Sequence, residues 1–87
     1  MKDETPQQFF DNIQIPISWR FGKNADYPNS IGRVYEIKPG IWVRIFFFTI
    51  TSRGGIVECN MKDNSKRTLI DNKTSEQLNE YIKQNLT

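Results

Sequence analysis

Histidine is absent from this chain, and Cys59 is its one cysteine. The first absence removes the usual general base, the Ser–His and Cys–His nucleophile pairs, and the commonest metal ligand. The second excludes an internal disulfide, fits a reducing compartment and leaves too few thiolates for a zinc site. No metal and no cofactor are expected. No apolar run approaches the roughly 18 residues that a membrane helix needs, so no membrane partner is expected either. The opening stretch, MKDETPQQFF, lacks the basic-then-apolar order of a secretion leader. A soluble, cytoplasmic protein is the expectation. Glycine is sparse, at five residues, and the adjacent pair Gly54-Gly55 leads into a strand pattern rather than a helix. It reads as a turn, not as a loop that cradles phosphate.

One fragment does suggest catalysis. Glu36-Ile37-Lys38, with Asp26 ten residues earlier, has the form of a metal-dependent nuclease signature. The chain is short of the helix-flanked sheet that such enzymes use. Glu36 and Lys38 read better as solvated residues beside a turn, and no enzymatic activity is expected.

What is present is a folding composition. Of the 87 residues, 37% are hydrophobic, 25% are charged and 13% are aromatic, which separates the chain from disordered sequences. That length suits one small domain, 1–87, which buries about 60% of its unfolded surface. Charge is unevenly spread. From Ile15 to Ile70 there are nine basic residues against four acids, a surplus of five; the two ends hold three against six. The central region is basic, and that asymmetry marks either an anionic partner or ordinary surface scatter.

The elements follow from local chemistry. Thr5, Pro6 and Gln8 form a capping-box start to a short helix, with Phe9, Phe10 and Ile13 on its buried stripe. IPISWRF, residues 15–21, alternates like a half-buried strand, and Pro16 makes it an edge. A polar loop from Gly22 to Gly32 follows. Lys38-Pro39-Gly40-Ile41 has the signature of a type II turn between two strands. Gly54-Gly55 reads as a two-residue hairpin loop, KDNSK as a third turn and RTLI as a short fifth strand. Thr74 with Gln77 starts a C-terminal helix whose Leu78, Tyr81, Ile82 and Leu86 share one face. The fold class is therefore α+β: an antiparallel meander of about five strands, a short N-terminal helix, and a C-terminal helix packed on the sheet.

Turn chemistry also predicts register. With Gly54-Gly55 as the loop, Ile50 faces Cys59 and Phe48 faces Met61. With Pro39-Gly40 as the loop, Trp42 faces Ile37, Arg44 faces Tyr35 and Phe46 faces Arg33. Phe48, Ile50, Val57, Cys59 and Met61 then form core beneath the C-terminal helix. Arg33, Tyr35, Trp42, Arg44 and Phe46 form a basic-aromatic cluster on the same face. Three roles fit it: a platform where rings stack on bases and cations hold phosphates, a cross-strand tiling of the sheet, or a protein-binding patch. Cys59 reads as a small core residue, and Tyr27 and Lys23 in the polar loop are available to a ligand.

IGRVYEIKPGIWVRI, residues 31–45, resembles the first hairpin of oligonucleotide-binding barrels, in its Gly32-x-Val34 and Gly40-x-x-Val43 spacing. That resemblance implies a closed barrel, and the terminal helix departs from it. A four-stranded sheet followed by one helix is also similar to the dimeric single-strand-binding coactivator fold. The expected function is a non-enzymatic binding module with weak, sequence-independent affinity for single-stranded nucleic acid. Arg33, Arg44, Arg53, Lys66 and Arg67 would meet phosphates, and Trp19, Tyr35 and Trp42 would stack on bases. The alternative is a small inhibitor or adaptor, of the kind phages and mobile elements carry, acting through a protein interface. An open sheet edge would also permit a homodimer.

Overall fold

A computed structural model describes residues 3–87. The chain runs α1 (Pro6–Asn12), β1 (Arg20–Asn24), β2 (Ser30–Lys38), β3 (Ile41–Phe48), β4 (Arg53–Asn60), β5 (Ser65–Lys73) and α2 (Ser75–Asn85). The strands form one sheet in the order β1-β2-β3-β4-β5, each antiparallel to its neighbours. The class is α+β. The sheet is open, with β1 and β5 as edges, and does not close into the barrel that the hairpin resemblance implied.

Both helices begin where their sequences say. Thr5 Oγ1 accepts from the Gln8 amide at 3.2 Å, and Gln8 Oε1 accepts from the Thr5 amide at 3.0 Å. Thr74 and Gln77 repeat the exchange at 3.3 and 2.9 Å. Each reciprocal pair satisfies two amides that a helix start leaves without partners. The helices then bury their apolar stripes on the same face of the sheet. Phe9, Phe10 and Ile13 of the α1 region and Leu78 and Ile82 of α2 pack with Val43, Ile45 and Phe47 of β3 and Ile56 of β4. Each such side chain contributes roughly 1.5–3 kcal/mol by leaving water.

Three expectations about strands are corrected. Residues 15–19 are not a strand. The Trp19 amide donates to the Pro16 carbonyl at 3.0 Å, which makes a turn, and Ile17 is fully exposed. Only Trp19 of that segment is deeply buried, so the alternation marked a looping approach to β1. The second correction concerns Gly54 and Gly55, which lie inside β4. The turn is Thr49–Ser52, with Ser52 at φ 55° and its amide donating to the Phe48 carbonyl at 2.9 Å. The glycines answer to packing instead: a Cβ at Gly54 would run into the Phe9 ring, and one at Gly55 would meet the Phe46 ring at 2.6 Å. Cys59 consequently faces Trp42 rather than Ile50. The slip is eight residues. Being even, it leaves the side chains of β3 and β4 on the faces expected of them.

The third correction does change faces. Pro39-Gly40 is the two-residue turn, with Gly40 at φ 82° and Lys38 opposite Ile41. Ile37 bulges out of register just before it, so Trp42 faces Glu36 and Arg44 faces Val34. A one-residue slip inverts a strand. Arg33 and Tyr35 therefore lie on the helix side, opposite Trp42 and Arg44. The helices cover that side, so Phe48, Val57 and Cys59 lie on the other face and are not core beneath the C-terminal helix, Phe48 being 40% exposed; Ile50 and Met61 fall in turns and are 77% and 57% exposed.

Candidate functional site: the bare sheet face

With both helices on one face, the other face of the sheet has no covering layer among the described residues. Across the strands it presents Arg20, Glu36, Trp42, Cys59 and Lys66 in one row, then Lys23, Val34, Arg44, Val57 and Thr68, then Gly32, Phe46 and Gly55. The large residues come from β3, the central strand, and they lie flat. Glycines on the neighbouring strands make the room. A Cβ at Gly22 would sit 2.5 Å from the Trp42 ring, and one at Gly32 would sit 2.5 Å from Arg44 Nε. Phe46 lies over Gly55 in the same way. Arg20 covers the Trp42 ring at 5.6 Å and pairs with Glu36.

Arg44 is the most constrained charge on this face. The chain after β1 folds back at Pro28-Asn29, where Tyr27 and Ser30 exchange backbone hydrogen bonds of 2.7 and 3.1 Å. Much of the expected polar loop is thus hairpin. Arg44 reaches across β2 to this hairpin: Nε and Nη2 donate to the Ala25 carbonyl at 3.2 and 2.7 Å, and Nη2 also donates to Ser30 Oγ at 3.0 Å. Its guanidinium lies 4.8 Å from the Tyr27 ring and 5.7 Å from that of Phe46. Burial lowers its pKa, while Tyr27 and Asp26 pull it back up. Nη1 has no hydrogen bond among the described residues and is not fully buried.

Beside Arg44 is a groove of 540 Å³, walled by Tyr27, Pro28, Asn29 and Ser30 on one side and Val57, Thr68 and Asp71 on the other, with Phe46 and Phe48 between. Tyr27 is 64% exposed. Phe48 meets Phe46 edge-on at 5.0 Å and leaves much of its own surface free.

Of the residues singled out in the sequence, the fold brings Trp42, Arg44, Phe46 and Lys66 together here, with Lys23 and Tyr27 of the expected polar loop. The others lie elsewhere. Tyr35 is buried on the helix side between Trp19 and Phe21, and Trp19 is itself buried. Arg33 lies 4.5 Å over the Phe10 ring, Arg53 points to Asp3 at 3.6 Å, and Arg67 pairs with Glu58 at 3.3 Å. Arg20 and Phe48 join the face in their place. The available signal was the glycines: Gly22 on β1, Gly32 on β2 and Gly55 on β4, where a large β3 side chain needs space.

The nuclease-like fragment is dispersed in its contacts. Glu36 is tied to Arg20, and Asp26 accepts from the Gly32 amide at 3.2 Å. Among the described residues, no three His, Cys, Asp or Glu side chains gather to hold a metal, and no helix is long and apolar enough to cross a membrane. In comparisons with protein-family models, curated proteins and solved structures, none matched the chain.

Proposed function

We propose that the protein is a non-enzymatic binding module whose bare sheet face takes single-stranded nucleic acid. One observation carries this reading. The uncovered face has cations from edge to edge, Arg20, Lys23, Arg44 and Lys66, with exposed rings at Tyr27 and Phe48 among them. A strand lying across the sheet would set phosphates on the cations and bases on the rings. Affinity would be modest, because Glu36 offsets one charge and Trp42 and Phe46 are already packed flat.

Fluorescence anisotropy with a labelled single-stranded oligonucleotide tests the reading. Four phosphate contacts give a log–log salt slope of about −2.8, or roughly a 50-fold loss of affinity between 50 and 200 mM salt. An Arg44→Ala, Lys66→Ala double variant that still folds should flatten that slope by about 1.4. Absence of binding even at low salt would sink the proposal.

A second reading, a small inhibitor or adaptor, is favoured by other residues. Ile17 and Phe21 are exposed near the β1 edge, and Ile50 and Met61 at opposite ends of the sheet. Apolar contacts of that kind bind proteins with little salt dependence, so the same titration against a candidate partner separates the two.

A further inference from the structure

The groove beside Arg44 contains one group that phosphate binding does not call for. Asp71, on β5, lines a hollow whose rings are Tyr27, Phe46 and Phe48 and whose other charged residue is Arg44. Its Oδ1 accepts from the Asn72 amide at 2.7 Å, and it forms no ion pair among the described residues. Facing a polyanion, such a group repels unless it meets hydrogen-bond donors. Arg44 lines the same groove, with three N–H···O contacts already made and the two protons of Nη1 unused.

We infer that this groove seats one guanine nucleotide of the bound strand, an inference that rests on the nucleic-acid reading above. Guanine carries two adjacent donors on its Watson–Crick edge, N1–H and the N2 amino group. A carboxylate offers the matching pair of acceptors. Adenine and cytosine place an acceptor nitrogen beside their amino group, and thymine flanks its one N–H with carbonyls, so each sets lone pairs against Asp71. The base stacks on the exposed faces of Tyr27 and Phe48, and a flanking phosphate takes the unused Nη1 of Arg44. The volume, 540 Å³, is within the range of about 300–1,000 Å³ usual for small-ligand sites.

The test compares thymine oligonucleotides of equal length whose central base is guanine, adenine, cytosine or thymine, by anisotropy at low salt. The guanine oligonucleotide should bind about ten-fold tighter than the others, the discrimination expected of one bidentate base contact. In Asp71→Asn, which replaces one acceptor by a donor, the four affinities should converge. In ¹⁵N spectra of the wild-type protein, GMP should shift the amides of Tyr27, Phe48 and Asp71 more than AMP, CMP or TMP do. Four equal affinities with a steep salt response would overturn the guanine seat and leave the general reading standing. No binding by any of the four would overturn both.

Discussion

Glu4 shows how one side chain can join distant parts of this chain. Its carboxylate accepts from the Ser75 amide at 3.0 Å, from the Ser75 hydroxyl, and from the Asn12 side chain at 3.0 Å. It thereby fastens the segment before α1 to the start of α2, where the helix favours negative charge. Burial pushes the carboxyl up, but the Ser75 hydroxyl and amide, Asn12 and the nearby Arg53 outweigh it and hold it below its ordinary value. A carboxyl whose folded value is depressed stabilises the fold above the unfolded value, about 4.3, and that contribution is lost as pH falls through the lower, folded one. Glu4→Ala should cost about 1–2 kcal/mol at neutral pH by urea unfolding, and the difference from wild type should shrink below about pH 4.3. A difference that stays constant down to low pH would show that the hydrogen-bonded carboxylate is not its source.

At the level of elements, hairpin geometry decides which residues meet. The β2–β3 hairpin was legible: Pro39 presets one φ and Gly40 takes the positive one, as the sequence implies. A Cβ at Gly40 would meet nothing within 4 Å, so strain in the left-handed region is its main penalty. Gly40→Ala should therefore cost about 1–2 kcal/mol in thermal or urea unfolding. A cost near zero would mean that the turn relaxes. The bulge at Ile37 was not legible, because no residue type there demands it; it is visible in the register alone. Gly54-Gly55 misled for a related reason. Glycine serves both tight turns and close packing, and the residues that crowd it, Phe9 and Ile70, are distant in sequence.

Across the whole molecule the two sheet faces differ in their cover, and adjacent phenylalanines report on them. Phe47 points under the helices and is 1% exposed, whereas Phe48 points to the bare groove and is 40% exposed. Phe47→Ala should cost about 3–5 kcal/mol, against a total stability of about 4–13 kcal/mol for a chain of this length. That variant should melt far below wild type or fail to fold. Phe48→Ala should shift stability by less than about 1 kcal/mol and, on the nucleic-acid reading proposed above, weaken oligonucleotide binding, since a ring stacked on a base is worth roughly 1–3 kcal/mol. Equal melting shifts for the two would contradict the one-sided helix layer. The edges are managed as well: β5 carries Lys66, Arg67 and Lys73 and two register breaks, features that discourage pairing with another strand.

The sequence by itself determined the two helices, the Pro39-Gly40 turn and the helix-borne half of the core. Capping residues, turn residues and helical spacing act within a few positions, so Thr5, Thr74, Pro39-Gly40 and the stripe from Leu78 to Leu86 carry their own instructions. It also assigned Trp42 and Arg44 to one face of β3, because alternation along a strand is local. Tertiary structure decided which face lacks a cover and which cations share it. Arg33 and Tyr35 were lost from the expected cluster through a single bulged residue, and Tyr27 gained a place through a hairpin that reaches Arg44 from 17 residues away. Strand register depends on the packing of several strands at once, and one residue of slip moves a side chain to the opposite face of the sheet.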